Sequence, residues 1–481
     1  MQRTLSIKQL ETSGYALAAS FLVILSPAFA QASDDGSVEE LRAEVEELRA
    51  LVEALAGSQG VSVVVDGRGA SQHDDTVVSI PETRAPSRDG LEAASGQTSG
   101  TGVLSARQPI GRFPDDAIVT AGEFDRSVRV PGTNGAFRLG GAVQINANYD
   151  TDNQGFQQIG TQPTIPIDGT VDDGDEQFSI HARHSRINFD FRAPTQYGQL
   201  RTFIEFDFFG DGDEFTNDYD LRLRHAAAEL GPWKFGQFWS GFVDVFNIPE
   251  TADPGGPMAQ PVLRNPGIHY VRGRYDGSNW GIGIENPAAD LGGNTDLIAS
   301  ESVPSVVAFA KLQRDWGYIR IAGMSVELKS DEDSVITGGA HLSGRFNSPL
   351  PGSDRNNFSF GAQAGEGFVH HFSSFVGELD GVVLDNGDVE ATGIIGAFGA
   401  YQHFWTERWR STFTASLFEL DSPNTADPLL YSGGERFSAN LFFSPLEGVT
   451  FGLEGNYNTI ETVDGSEGEG TRIEFVGRFD F

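Results

Sequence analysis

The stretch TRIEFVGRFDF, residues Thr471–Phe481, reads as a β-strand whose two faces differ in chemistry. Counted in twos, one face is apolar and carries Ile473, Phe475, Phe479 and Phe481, with Gly477 between them. The opposite face carries four charges, on Arg472, Glu474, Arg478 and Asp480. Successive side chains of a strand point to opposite sides, so this strand separates an apolar from a watery environment. A soluble sheet also hides one face, and the alternation alone does not identify the apolar environment.

The composition narrows the class of protein. The chain has 481 residues and a formal net charge of -35, which makes nucleic acid an unfavourable partner. It contains no cysteine, and this excludes disulfides, thiolate metal sites and cysteine nucleophiles. The 59 glycines and 36 phenylalanines, against 3 methionines, suit many strands and tight turns better than helical packing.

Residues 1–30 have the pattern of a secretory signal peptide. Arg3 and Lys8 precede the apolar run ALAASFLVIL, and the small residues AFA at 28–30 offer a cleavage site. The alternative is a buried N-terminal helix. No later run reaches the roughly 18 apolar residues that a membrane-spanning helix requires. The sequence therefore predicts an exported protein without a transmembrane helix.

Residues 37–56 predict a short coiled coil. The seam of this segment consists of Val38, Leu41, Val45, Leu48, Val52 and Leu55. Valine at a and leucine at d favour two strands, although fewer than three heptads are marginal alone. A single amphipathic helix lying on its own protein is the alternative. Gly, Ser, Asp, Thr and Pro dominate residues 57–135, which predict a flexible linker ahead of a domain at 136–481.

The segment 136–481 contains sixteen runs that alternate as the last strand does. LRTFIEFDFFG, for example, sets Leu200, Ile204 and Phe206 against Arg201 and Glu205. The runs lie near 137–150, 178–193, 200–210, 220–230, 233–239, 267–275, 279–287, 304–314, 317–330, 335–346, 357–368, 393–405, 408–420, 433–445, 447–460 and 471–481. Boundaries between residues 331 and 392 are the least defined.

The links between these runs decide the fold class. Links from even to odd strands are mostly tight, whereas links from odd to even strands are mostly long and polar, and the strand number is even. This pattern is typical of an outer-membrane β-barrel. Only the links after strands nine and ten deviate, and a soluble sandwich needs no such alternation. The sequence predicts an all-β protein, a sixteen-stranded antiparallel transmembrane β-barrel.

A barrel in lipid must close on itself, because lipid cannot hydrogen-bond an open backbone edge. Charged groups are costly on the lipid side, so the charged strand faces indicate a wet interior. Sixteen strands enclose an aqueous channel. The residues themselves thus indicate passage of small polar solutes.

Arginines are the strongest candidates for solute selection in that lumen. Alternation predicts that the pore-lining set is Arg138, Arg186, Arg201, Arg222, Arg224, Arg272 and Arg274, with His184 as a further candidate. Rings of arginine favour anions, because guanidinium keeps its charge and binds carboxylates bidentately. The alternative is that these arginines only neutralise luminal carboxylates such as Asp190, Glu205 and Asp207.

The third long link, Ser240–Gly267, is unusually apolar for a loop in water. Its apolar cluster consists of Phe242, Val243, Val245, Phe246 and Ile248. We expect this link to fold against the inner wall and to constrict the pore. The charged residues at the narrow point would then be Asp244, Glu250, Asp253 and Arg264. A contact between subunits is the alternative explanation of the apolar cluster.

Other chemistry is weakly indicated. DFFGDGDEFTNDYD is rich in carboxylates but lacks EF-hand spacing, so a solvated loop is favoured over a Ca²⁺ site. The histidines at 181, 184, 370 and 371 have no recognisable partner spacing, and no serine lies in an elbow motif. We expect no cofactor, no resident metal and no enzymatic activity. A structural anchor with little transport is a further alternative.

Several of these stretches resemble the DcaP-like porins of Gram-negative outer membranes. They are ARHSRINFDFRAPT, LRTFIEFDFFG, LRLRHAAAELGPWKFGQFWSGFVDV and IPETADPGGP, preceded by a helix like that family's periplasmic coiled coil. The resemblance covers most of residues 37–270 and is diffuse beyond, except for the terminal aromatic Phe481, an assembly signal in such barrels.

The resemblance implies a homotrimer of sixteen-stranded barrels with an inward third loop, in contact with outer-membrane lipid and lipopolysaccharide. It also implies uptake of small organic anions such as dicarboxylates. Phosphate-selective porins are the competing relatives. A trimer conflicts with the two-strand preference of the heptad seam, and we follow the family because barrel contacts should outweigh so short a helix.

Overall fold

A computed structural model describes residues 121–152, 165–170, 174–213, 216–274, 276–372, 379–423 and 431–481. The predicted signal peptide, the coiled coil and most of the linker lie outside the described residues. Sixteen strands form the main sheet: β1 Ala136–Asp150, β2 Gln177–His181 and Arg186–Thr195, β3 Gly198–Asp207, β4 Arg222–Leu230, β5 Trp233–Trp239, β6 Arg264–Gly273, β7 Asn279–Glu285, β8 Ser305–Arg314, β9 Gly317–Lys329, β10 Ser334–Asn347, β11 Asn357–Glu366, β12 Gly393–Phe404, β13 Trp409–Asp421, β14 Tyr431–Leu446, β15 Val449–Thr462 and β16 Glu467–Asp480. Each strand pairs antiparallel with its neighbours, which confirms the predicted fold class.

The last strand closes the barrel by pairing with the first. Val143 lies opposite Phe479, and both side chains are exposed on the outer face. On the inner face Arg472 donates to the Asp150 carboxylate at 2.7 and 3.0 Å. The chemistry of the terminal strand is thus explained, since its apolar face is the outside of a closed cylinder and its charged face is the inside.

Two irregularities shape the first quarter of the wall. Residues 182–185 interrupt β2, so that its two halves pair with different parts of β1. A register shift between Glu205 and Phe206 leaves Arg224 as an extra residue of β4, and Arg224 and the following His225 are both buried. Such a bulge turns an additional side chain to the inner face.

The links confirm the long and short ends of the barrel, here called the loop end and the turn end. At the turn end, residues 231–232 join β4 to β5 and 447–448 join β14 to β15. The two links that deviate from this pattern are present in the structure: residues 330–333 form a short link after β9, and residues 348–356 form a longer link after β10. The main-sheet strands between residues 331 and 392 lie where predicted. Ser330 stabilises the short link of β9 to β10, because its Oγ accepts from the backbone N–H groups of Glu332 and Asp333 at 3.2 and 2.9 Å.

The barrel domain begins before the predicted boundary at residue 136. Val128 and Arg129 pair with Phe137 and Ala136, next to the place where the chain ends at Phe481. Phe481 itself exchanges backbone hydrogen bonds with Gly141. The short hairpin therefore covers the edge of β1 that β16 does not reach. An uncovered edge would leave backbone groups unpaired, so residues 121–135 belong to the barrel rather than to a flexible linker.

One sector of the barrel interior is dry, a feature that the alternation of the strands does not predict. The inward side chains of β9 towards the loop end are apolar: Ala322, Met324, Val326 and Leu328. They pack under a lid that contains Phe368, Val369 and Phe372 and a small sheet of three short strands, Leu291–Gly293, Gly381–Val383 and Val389–Ala391. Burial beneath this lid explains why β9 is apolar on both faces. The polar side chains of the interior lie on the other strands, away from this sector.

Among the described residues, no helix is long and apolar enough to cross a membrane.

Candidate functional site

The link from β5 to β6, Ser240–Leu263, lies inside the barrel and is called here the constriction loop. Its first turn is fixed by Phe242, which is fully buried in the dry core. The backbone N–H of Gly241 donates to Glu285 Oε1 at 2.7 Å, and the Phe242 carbonyl accepts from Arg320. Phe242 therefore packs inside its own barrel and does not form a contact between subunits.

Asp244 is buried against β9 and β10. Its Oδ2 accepts from the Tyr318 hydroxyl at 3.0 Å and from Ser343 Oγ at 2.8 Å. Next to it, Lys311 Nζ of β8 lies 3.9 Å from the centre of the Phe246 ring. The Asp244 carboxylate thus accepts from two hydroxyl groups and has the Lys311 ammonium as a neighbouring cation. Its negative charge is therefore shielded from the lumen.

Glu250 forms the strongest contact in the middle of the loop. Arg410 of β13 donates from Nε and Nη2 to the two oxygens of this carboxylate, at 2.6 Å each. Gln402 adds a third hydrogen bond at 2.8 Å. Both side chains of the ion pair are almost completely buried, so this bidentate contact is shielded from salt and water.

The far end of the loop is fastened to β14 and β15. Arg436 Nη2 lies 2.9 Å from Asp253 Oδ2, and the Ala252 N–H donates to Glu454 Oε2 at 2.8 Å. The chain then returns towards β6, and the Val262 N–H donates to the His371 carbonyl in the lid at 3.0 Å. With these contacts the loop covers the wall from β7 to β15 and leaves β1–β4 facing the remaining lumen.

A cluster of arginines lies on that uncovered wall. It consists of Arg138, Arg186, Arg192, Arg201, Arg222 and Arg224 and is called here the arginine cluster. Asp190 is surrounded by three of them, with Arg192 at 2.8 Å, Arg201 at 3.0 Å and Arg138 at 3.7 Å. Arg201 also reaches Glu229 Oε2 at 3.8 Å, so two carboxylates meet three guanidinium groups and this part of the wall keeps a positive charge.

The second half of the arginine cluster surrounds Asp207. Arg222 and Arg224 approach its Oδ2 at 2.7 and 2.8 Å, and Arg224 also reaches Glu205 Oε1 at 2.8 Å. The bulge in β4 makes this possible, since Arg224 is the extra residue between the pairs Glu205–His225 and Phe206–Leu223 and is turned to the inner face. Here two carboxylates balance two arginines.

Arg186 differs from every other member of the arginine cluster. Its side chain is buried, with 8% of the residue exposed, yet it forms no ion pair within the described part of the chain, and its Nε has no hydrogen-bond partner. It lies within electrostatic range of Arg224, Glu205 and Asp207. A guanidinium without a bound carboxylate has donors available for an anionic solute.

The charges of this wall do not cancel. Six arginines face Asp190, Glu205 and Asp207, which leaves three positive charges. Glu229 is shared between Lys234 at 3.3 Å and Arg201 at 3.8 Å, and because Lys234 and Glu229 carry opposite charges they leave this excess unchanged. The covered side carries the loop carboxylates Asp244, Glu250 and Asp253, which are already bound to wall groups. The lumen is therefore polarised, with a cationic wall opposite a largely neutralised loop.

Three predicted site residues lie elsewhere. Arg272 is on the outer face of β6, opposite Trp280 and hydrogen-bonded to the Tyr270 hydroxyl at 2.6 Å. This is the position of an interfacial arginine whose long side chain reaches water beside aromatic residues. Arg274 is exposed in the turn after β6 and pairs with Asp276 at 2.9 Å.

Arg264 begins β6 rather than lying within the loop, and its guanidinium lies 4.4 Å from the Trp239 ring centre. It remains within electrostatic range of Arg186, Arg222 and Arg224, so it adds to the positive field of the cluster. His184 packs on His181 and Phe209, with ring centres 5.4 and 4.5 Å away.

Sequence reasoning missed Arg192, Arg410 and Arg436. All three lie on polar strand faces, and the alternation that identified Arg201 also applies to them. Alternation does not identify the carboxylate that each arginine binds, because partners such as Arg436 and Asp253 are far apart in the chain.

The carboxylate-rich stretch after β3 forms a two-residue ribbon, Gly212–Asp213 with Asp218–Tyr219. Within the described residues, no group of three or more histidine, aspartate or glutamate side chains is arranged to hold a metal ion.

Comparisons with known proteins agree with this architecture. A family model described as DcaP outer membrane protein matches residues 122–481. The outer-membrane channel DcaP of Acinetobacter baumannii is similar in fold, with a TM-score of 0.65 and 19% identity over 75% of this chain and 100% of that one. An anion-selective porin from Comamonas acidovorans gives a TM-score of 0.47 and 11% identity over 72% of this chain and 100% of that one. A comparison with curated proteins finds no match. The match of the family model over most of the chain shows that this protein belongs to the DcaP outer membrane protein family.

Proposed function

We propose that this outer-membrane porin favours small organic anions, such as dicarboxylates, among the solutes that diffuse through it. The family and the barrel establish a porin channel of the Gram-negative outer membrane. The observation that supports the anion preference is Arg186, a buried guanidinium with neither an ion pair nor a partner for its Nε. A solute carboxylate would supply the missing partner.

The surroundings of Arg186 support the same preference. The three carboxylates of the constriction loop are bound to Arg410, Arg436, Tyr318 and Ser343, so they repel anions weakly. The arginine cluster keeps an excess of three positive charges over its carboxylates. Fixed charge in a narrow passage of low dielectric raises the local concentration of the opposite ion. A dicarboxylate has two charged ends, which suits a wall with several separated cations.

The test compares Arg186→Ala with Arg272→Ala in planar bilayers. Each variant removes one guanidinium, but Arg272 lies on the outer face. In a gradient of potassium succinate, the reversal potential should shift towards cation preference in Arg186→Ala and should remain at the wild-type value in Arg272→Ala. Equal reversal potentials in all three proteins would refute the role of Arg186.

Arg201 and Arg222 extend the test. Both are bound to carboxylates, but removal of either guanidinium lowers the net charge of the wall by one, so Arg201→Ala and Arg222→Ala should weaken anion preference. Liposome swelling with succinate, phosphate, arginine and glucose separates the alternatives. Faster entry of phosphate than of succinate would favour a phosphate-selective porin, and absence of swelling would favour a structural anchor.

We also propose that the chain is a homotrimer whose coiled coil lies in the periplasm. The family resemblance and the heptad seam at 37–56 support this proposal, and the apolar outer face of the barrel suits contact with lipid and with the lipid anchor of lipopolysaccharide. Mass measurement of the detergent-solubilised protein tests it. A trimer that persists after deletion of residues 37–56 would show that barrel contacts suffice.

A further inference from the structure

We infer that the arginine-bearing wall of the lumen binds anions that carry a flat aromatic ring, such as aryl carboxylates. Three members of the arginine cluster and the neighbouring Arg264 each lie against an aromatic side chain. These four pairs are called here the arginine–aromatic ladder: Arg222 with Phe209, Arg264 with Trp239, Arg201 with Phe203 and Arg192 with Phe124. The inference names a solute class for the proposed anion preference and rests on that proposal.

The contacts within the ladder are close. The guanidinium carbon lies 4.4 Å from the ring centre in the pairs of Arg264 and Arg192, 4.9 Å in the pair of Arg222 and 5.2 Å in the pair of Arg201. A cation within about 6 Å of a ring centre is attracted by the electron-rich face of the ring. A stacked guanidinium keeps its N–H donors in its own plane, where a carboxylate can bind them bidentately. Each pair thus offers an apolar surface and a carboxylate-binding group side by side.

The four pairs are spread along the height of the wall. Phe209 follows β3 and Trp239 ends β5, both at the loop end. Alternation along β3 places Phe203 on the inner face together with Arg201. Phe124 lies at the turn end, before β1. A solute that passes along this wall therefore meets an arginine–aromatic pair near each end of its path.

Three of the four rings are accessible to a solute. Phe209, Trp239 and Phe124 are partly exposed, whereas Phe203 is buried behind them in the wall. Apolar surface gains free energy when another apolar surface replaces water on it, and aromatic rings pack on each other with additional stability. A wall that only had to be wet and cationic gives no reason for partly exposed rings beside its arginines. The alternative is that the rings only hold the guanidinium groups in position.

The pair of Arg264 and Trp239 combines these properties most fully. Within the described part of the chain, Arg264 forms no ion pair, and the arginines near it act on its charge more strongly than Asp207 does. The Trp239 ring also contacts the buried His225 ring, edge to face, with centres 5.8 Å apart. An aryl carboxylate packed on this aromatic surface would bring its negative charge to Arg264, within electrostatic range of Arg186.

Two acids of equal charge and similar size separate ring chemistry from charge: benzoate and cyclohexanecarboxylate. Each is added to KCl in planar bilayers at neutral pH, where both are ionised, and the concentration that halves the channel current is measured. In wild type, benzoate should reach this point at about one third of the concentration of cyclohexanecarboxylate or less, because a favourable contact between rings gives a factor of about three to ten. The double variant Phe209→Leu/Trp239→Leu keeps every guanidinium and should respond equally to the two acids.

Two further variants serve as controls. Trp239→Phe keeps an aromatic ring and should retain the preference for benzoate. Trp233→Leu removes an exposed ring from the outer face of the same strand and should give the wild-type ratio. Heat-modifiability on gels shows that each variant has folded, so a lost preference is then a property of the lumen.

Two outcomes would overturn the inference. Equal block by the two acids in an anion-selective wild type would show that the wall does not recognise the ring. A double variant that binds both acids more weakly by the same factor would show that the rings only position the guanidinium groups. The reversal potential of wild type in the succinate gradient is read separately, and absence of anion preference there would refute the proposed function instead.

Discussion

Replacing Arg410 with alanine should release the middle of the constriction loop. The change removes both hydrogen bonds at 2.6 Å and leaves Glu250 with Gln402 as its side-chain partner in a nearly dry position. Removing one member of a buried ion pair costs about 3–5 kcal/mol, and the remaining amide supports the lower end. About 3 kcal/mol corresponds to roughly a hundredfold increase in the detached population of this segment.

Single-channel recording should detect that increase as larger open-state noise and more frequent conductance steps. Arg355→Ala is the matched control, because this arginine stacks on Phe404 at 3.9 Å in the link of β10 to β11. The double variant Glu250→Met/Arg410→Met should recover a quiet channel, since apolar side chains of similar volume leave no unpaired charge. If Arg410→Ala conducts as quietly as wild type, the ion pair does not hold the loop and the reasoning is wrong.

Three other changes test separate parts of the structure. Phe124 packs 4.4 Å from the Arg192 guanidinium at the turn end, so Phe124→Ala should expose that charge and raise the anion-to-cation permeability ratio, measured by reversal potential. Burial and the nearby Asp380 carboxylate raise the pKa of Asp290 in the lid above its ordinary value of 3.8. The folded lid therefore favours the protonated form, and its stability should fall as the pH rises from 3.8 through the raised pKa. Limited proteolysis at several pH values should detect this dependence, and Asp290→Asn should abolish it. Lowering the ionic strength from about 0.15 M to about 0.01 M extends the Debye length from about 8 to about 30 Å and should reduce anion preference, because the acidic loops then act on the lumen.

The strands were predictable because lipid imposes the same rule on each of them. Every outward position must be apolar, and the period of two then repeats sixteen times independently of what the interior does. The same rule placed Arg272 wrongly in the lumen. His269 and Arg272 give β6 one polar residue on each face, so the sequence does not indicate which face is inside. The rule also did not predict the dry core. Both faces of β9 are apolar, the outer face because it contacts lipid and the inner face because it packs under the lid.

The candidate site was predictable only as a set of inward positions. Alternation identified Arg186 and Arg201 as luminal, but which carboxylate binds which arginine depends on strand register and on the bulge beside Glu205. Contacts of the constriction loop depend on pairs that are distant in sequence, such as Asp253 with Arg436. No local pattern contains that information, and the isolated state of Arg186 follows only once every other pairing is known.

A chain with a net charge of -35 can still favour anions, because an ion in the lumen responds to nearby charge rather than to the total. Exposed carboxylates on the loops are screened by salt beyond about 8 Å, whereas charges in a narrow, partly buried passage are screened much less. The constriction loop brings three carboxylates into that passage, and wall groups neutralise or shield each of them. The wall left uncovered by the loop carries the unbalanced arginines. On the proposed anion preference, selectivity would follow from which charges remain unpaired inside the barrel, and the acidic exterior would set only the salt dependence of that preference.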